Sequence, residues 1–178
     1  MTLRLYFVAL IACFSVTAFG AEPSTGPYIN SGGPAFAVPD RDVPLPEGHK
    51  YRVVFEATDY PEQPAGPNRE LEIVARFLNM HGKNGVPLAD MDIAVVMHGG
   101  ALLSALSNET YNRLYEMDNP NLALLTELAG AGVKFYVCGQ SMGFRQLDKK
   151  ALAEPVKMGL SAMTMLVTLQ AEGYALLQ

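Results

Sequence analysis

The chain has 178 residues, 49% of them hydrophobic, and 13 Lys and Arg stand against 18 Asp and Glu for a net charge of −5. That length fits one domain with enough apolar material for a real core. The acidic balance, with no basic run and no basic–aromatic interleaving, argues against nucleic acid and against anionic membrane surfaces as partners.

The first residues read as a targeting segment. Arg4 is the only charge before Glu22, Leu5 to Phe14 is apolar, and Ala18-Phe-Gly20 is a small-x-small cleavage pattern. The apolar run is short for a membrane span. Residues 1–21 are therefore expected to be a signal peptide, and the mature protein is expected in the periplasm or outside the cell, with no membrane span. Leu10-Ile-Ala-Cys13 also resembles a lipoprotein box. An acylated Cys13 is the less favoured reading, because the apolar stretch runs on past it to Val16. The chain has two cysteines, Cys13 and Cys138. If Cys13 leaves with the leader, Cys138 is left as a single thiol in an oxidising compartment, where unpaired thiols are reactive or pair between molecules.

Residues 22–50 hold six of the twelve prolines and four glycines. Proline removes the donor and the freedom in φ that helices and central strands use. This is an extended arm, expected to be dispensable for folding. Yet Tyr28, Ile29, Phe36, Val38 and Leu45 predict that part of it lies against the domain or a neighbouring subunit.

Strands and helices then alternate through 51–178. Tyr51 to Glu56 reads as the first strand. Asn68 is a candidate N-cap, with Glu70 and Glu72 in the first turn of a helix that Gly82 ends. Met91 to Met97 is a continuous apolar strand. Asn108 to Glu116 predicts a helix, and Asn119-Pro120 starts another that ends at Gly130. Val133 to Val137, β-branched and aromatic, is a third strand. Val156 to Leu160 is a fourth, Ser161 caps a helix to Glu172, and Tyr174 to Leu177 is a fifth. Fully apolar strands separated by helices predict an α/β fold: a flavodoxin-like three-layer sandwich on a five-stranded, mainly parallel sheet. The last helix confines its polar residues to a narrow stripe of Thr164, Thr168 and Glu172. A helix apolar on most sides needs cover on most sides, which predicts a subunit interface.

Cys138 ends the third strand, and ligands of parallel sheets bind beyond the carboxyl ends of the strands. His98-Gly99-Gly100 ends the second strand on the same edge. The imidazole is a candidate base for the thiol, and the two glycines are candidates to admit a ligand and offer amides to an anion. Thr58 and Asp59 follow the first strand at that edge. Gly139 lets the chain turn after the cysteine, Gln140 follows it, and Ser141 is a candidate cap that aims amides at the sulfur; all three are candidate binding residues. Arg145 is a candidate positive charge. Each position has a structural reading too: a packed core cysteine, a hydrogen-bonded histidine, glycines in plain turns. No dinucleotide or P-loop fingerprint occurs. His49, His81 and His98 lack metal spacing, and Cys138 with Met142 and His98 is only a weak copper(I) set. No cofactor is expected.

Four stretches carry a resemblance: Ala94-Val-Val-Met-His98-Gly-Gly-Ala, Asp118-Asn-Pro-Asn-Leu, Gly132-Val-Lys-Phe-Tyr-Val-Cys138-Gly-Gln-Ser and Leu169-Gln-Ala-Glu-Gly-Tyr-Ala-Leu. From Tyr51 onward the chain resembles the DsrE/DsrF-like family of sulfur-relay proteins, and more narrowly its exported members of unknown role. The resemblance implies a five-stranded parallel sheet and homo-oligomers, trimers or hexamers. It also implies a cysteine, here Cys138, that takes a persulfide from a sulfur donor, protein or small compound, and passes it to an acceptor. The alternative is a non-catalytic oligomeric binding or assembly protein with a buried structural cysteine.

Overall fold

The computed structural model describes residues 22–59 and 64–178. The expected signal peptide and Cys13 lie outside them. Ten main elements follow in chain order: β1 (Tyr51–Ala57), α1 (Arg69–Lys83), β2 (Met91–Met97), α2 (Asn108–Tyr115), α3 (Leu122–Gly130), β3 (Lys134–Cys138), α4 (Gly139–Phe144), β4 (Val156–Gly159), α5 (Ala162–Ala171) and β5 (Ala175–Leu177). Asn68 caps α1 through its side chain, which accepts from the Glu70 and Leu71 amides, and Ser161 caps α5 through the Thr164 amide. Asn119-Pro120 does not open α3. The Asn119 side chain instead accepts from the Asn121 amide, and the helix starts at Leu122.

The five strands form one sheet in the order β4-β3-β2-β1-β5, and every pairing is parallel. The chain steps one way from β1 to β4, then returns across the whole sheet to β5. Parallel crossovers are right-handed, so connections stepping one way fall on one face and the returning connection falls on the other. The larger core follows from this. Val53, Phe55, Ile93, Val95, Phe135 and Val137 point to the face where Leu71, Leu78, Leu125, Leu128 and Met142 of the helices meet them. The opposite face presents Val54, Ala94, Val96 and Cys138, and α5 meets it with Ala162 and Leu169.

The arm is not a free extension. Ile29 is fully buried in the larger core. Asn79 of α1, itself fully buried, accepts from the Tyr28 and Ile29 amides and donates to the carbonyls of Ile29, Gly32 and Gly33. Gly33 has φ +64, and a Cβ there would stand 2.2 Å from the Arg76 amide nitrogen, so only glycine lets the arm lie this close to α1. The Asn30 and Ser31 amides donate to the Glu127 carboxylate on α3.

Candidate functional site

Beyond the carboxyl ends of β3 and β4 the chain leaves to opposite faces: α4 after β3 sends Met142 into the larger core, and α5 after β4 covers the other side. Such a divergence opens the crevice where parallel sheets bind ligands. Cys138 stands at it, in register with Gly159 of β4.

Cys138 is the N-cap of α4. Its sulfur accepts from the Ser141 amide at 3.5 Å. This alters the expected role of Ser141, which lies in the first turn and donates to the cap. Burial, leaving the residue 6% exposed, pushes the thiol pKa up. Hydrogen bonds from the Ser141 side chain and amide, and from the amides of Ala162 and Gln140, outweigh it, so the thiol lies below its ordinary range. Ala162 opens α5, so residues from both diverging helices bear on the sulfur.

Gly139 and Gln140 hold the β4–α5 turn beside the cysteine. A Cβ at Gly139 would stand 2.6 Å from the Gly159 carbonyl oxygen and 3.1 Å from that of Leu160. The Gln140 side chain donates to the Leu160 carbonyl at 3.3 Å. Any larger residue at 139 would push the β4–α5 turn off the cysteine.

The structure places His98 beside this crevice but gives it a different partner from the one expected. Nε2 of His98 lies 2.9 Å from Oε1 of Glu56, and the other Glu56 oxygen accepts from the Gln178 side chain at 3.0 Å. Sequence reasoning missed Glu56. The signal was there, since it is a carboxylate that ends an apolar strand on the edge of His98. The amides of Gly100 and Ala101 both donate to the Thr58 carbonyl, at 2.9 and 3.0 Å. They hold the β1 and β2 loops together and are not free for an anion, which corrects the role expected of Gly100. Gly99 has φ +55 and its carbonyl accepts from the Arg145 guanidinium at 3.1 Å. Arg145 thus ties the β2 turn to the end of α4. Glu70 accepts from the Thr58 and Asp59 amides, and burial pushes its carboxyl above the usual range. Met142 packs on the opposite face of the sheet from Cys138, so the copper(I) set does not converge. No group of three or more metal-ligating side chains occurs among the described residues.

Residues 49–178 match a family described as DsrE/DsrF-like, and the match spans the whole sheet. This chain belongs to that family. Two solved structures share the fold of this DsrE/DsrF-like chain. The protein of unknown function MTH1491 from Methanobacterium thermoautotrophicum is 23% identical over 72% of this chain and 98% of its own, with a TM-score of 0.54. The ychN protein from E. coli is 14% identical over 71% of this chain and 96% of its own, with a TM-score of 0.52. At such identities the likeness establishes the fold alone. No curated protein matches the chain. The docked arm lies before the first matched residue.

Proposed function

We propose that this DsrE-like protein is a sulfur carrier that holds a persulfide on Cys138. One observation carries the reading: in a chain of this family, a thiol with lowered pKa caps a helix at the crevice where the sheet's connections diverge. Thiolate, not thiol, attacks sulfane sulfur, so amide donors that favour thiolate are the needed chemistry. His98 is its neighbouring base. The burial of Cys138 favours a second reading, a structural cap in a binding or assembly protein. Intact-mass measurement after incubation with polysulfide separates the two. A carrier gains one sulfur that reductant removes and that Cys138→Ser never acquires. A chain that gains none, and whose Cys138 resists alkylation until unfolded, is the assembly protein.

The carrier reading includes self-association through α5 and export ahead of an unidentified donor and acceptor. Met163 and Val167 on α5 are 76% and 68% exposed, and Leu160 just before it is 69% exposed. Apolar side chains displayed on one helix are what a second copy of the chain would cover. The apolar run behind Arg4 supports export.

A further inference from the structure

Glu56 lies on β1, Cys138 ends β3, and His98 follows β2, the strand between them, by one residue. Glu56 is level with Val96 of β2, and Met97 is level with Val137 of β3. His98 and Cys138 each follow by one residue, so they end adjacent strands side by side. Neighbouring parallel strands lie about 4.8 Å apart. Alternation puts Glu56 with Val54, His98 with Val96, and Cys138 with Tyr136, all on the α5 face. Gln178, next to β5, extends the row through its bond to Glu56.

We propose that Glu56 is a positioning residue for sulfur transfer, one that fixes the His98 ring with its Nδ1 lone pair free for the Cys138 proton. A carboxylate only accepts, so the 2.9 Å contact places a hydrogen on Nε2. In a neutral ring the other nitrogen is then the acceptor. The two nitrogens face nearly opposite ways, so an Nε2 turned toward β1 leaves Nδ1 turned away from it, and Cys138 is the β3 neighbour on that side. Nδ1 has no hydrogen bond among the described residues. Gln178 holds the second Glu56 oxygen, which limits rotation of the carboxylate. The charged groups that bear on the ring are Glu56 from β1 and Glu70 from α1; Arg145 at the end of α4 binds the neighbouring Gly99 carbonyl, and Asp59 after β1 donates its amide to Glu70.

The proposal rests on the carrier reading, and its proton path is balanced. The Cys138 thiol proton passes to Nδ1, directly or through one water. The thiolate attacks the outer sulfur of a donor hydropersulfide, R–S–SH. The donor S–S bond breaks, and R–S⁻ leaves with the electron pair and takes the proton back from the imidazolium. Cys138 gains one sulfane sulfur, the donor becomes R–SH, and no outside oxidant or reductant is consumed. Glu56 acts throughout by holding the ring.

The test uses the full chain and the pH profile of Cys138 alkylation by iodoacetamide, with sulfur uptake from polysulfide measured alongside. Glu56→Ala is expected to slow alkylation at neutral pH roughly tenfold, a fraction of what a positioned base supplies. Glu56→Gln, which keeps an acceptor for Nε2, is expected to recover part of the rate. With His98→Asn already in place, Glu56→Ala should add nothing. Nitrogen-15 spectra should show His98 protonated on Nε2 in the wild type and as mixed tautomers in Glu56→Ala, a signature that a merely structural role would not move. A Glu56→Ala chain with an unchanged pH profile and normal sulfur uptake overturns the positioning role and leaves the carrier standing. A wild type that takes up no sulfur overturns the carrier and this proposal with it.

Discussion

On one face of the sheet, α1, α2, α3 and α4 build a deep core over Val53, Ile93, Val95 and Phe135, and the arm adds Ile29 beyond them. On the other face a single helix, α5, meets Val54, Ala94 and Val96 chiefly through Ala162 and Leu169. The same strands serve both faces, so strand sequence does not cause the difference. The order of the strands does: three steps one way stack their connections on one side, and one return leaves one helix on the other. The thick face carries stability. The thin face carries Cys138, His98 and Glu56, where a shallow cover keeps the strand ends within reach of a ligand.

The sharpest way to break this comparison is a matched pair of truncations. Leu125→Ala in the thick face should cost about 2–5 kcal/mol, because a fully buried site leaves a cavity that cannot collapse. Leu169→Ala under α5 should fall at the low end of that range, about 2 kcal/mol, since the thin layer can settle onto the gap. Chemical denaturation measures both, and equal losses would contradict the division of labour.

Next in size is the seam between arm and α1. Asn79→Ala removes the partner of two amides and three carbonyls, and each buried group left unpaired costs about 1–3 kcal/mol unless water reaches it. A loss of about 2 kcal/mol is expected in thermal melts. A chain starting at His49 should melt below the full-length protein rather than match it.

Much of the architecture was legible. Continuous apolar strands, Asn68 and Ser161 as caps, and the glycines near the ends of α1, α3 and α5 marked those elements to within a residue or two, whereas the short α4 was not read as a helix. Cys138 was legible as a strand end. The long-range polar geometry was not. Asn79 binds the arm from fifty residues away, and nothing within its own helix pattern announces that. The Gly100 amide looked free because its acceptor, the Thr58 carbonyl, is a backbone atom of another strand's loop, which no side-chain pattern displays. Glu56 was read only as the end of the first strand, because its partner His98 becomes a neighbour only once β1 and β2 pair.

On the thin face itself, Val167→Glu sharpens the comparison. Val167 is 68% exposed in the single chain, so the fold should lose no more than about 0.5 kcal/mol. If α5 is the surface where copies meet, light scattering should nonetheless find the variant smaller than the wild type, because a buried unpaired charge is costly. A wild type that is monomeric would end the interface reading.

The smallest effect is a pH dependence. The Cys138 thiol titrates lower in the folded chain than in the unfolded one. Its thiolate therefore adds stability that is complete above the unfolded value, about 8.5, and is lost as pH falls through the folded value. The stability gap between wild type and Cys138→Ala should widen as pH rises from neutral toward that value. A gap that is flat with pH would mean the amides do not favour the thiolate.

The return of α5 across the sheet also makes one strand pairing unlike the rest. β1 through β4 pair each with the next strand in sequence, whereas Val53 of β1 pairs with Ala175 of β5. That last closure spans most of the chain and carries the largest loop-closure entropy of the sheet's pairings. The Ala162 amide that bears on the Cys138 sulfur therefore belongs to the helix that leads into the sheet's most distant closure, which couples the cover of the thiol to the seating of the chain's last strand.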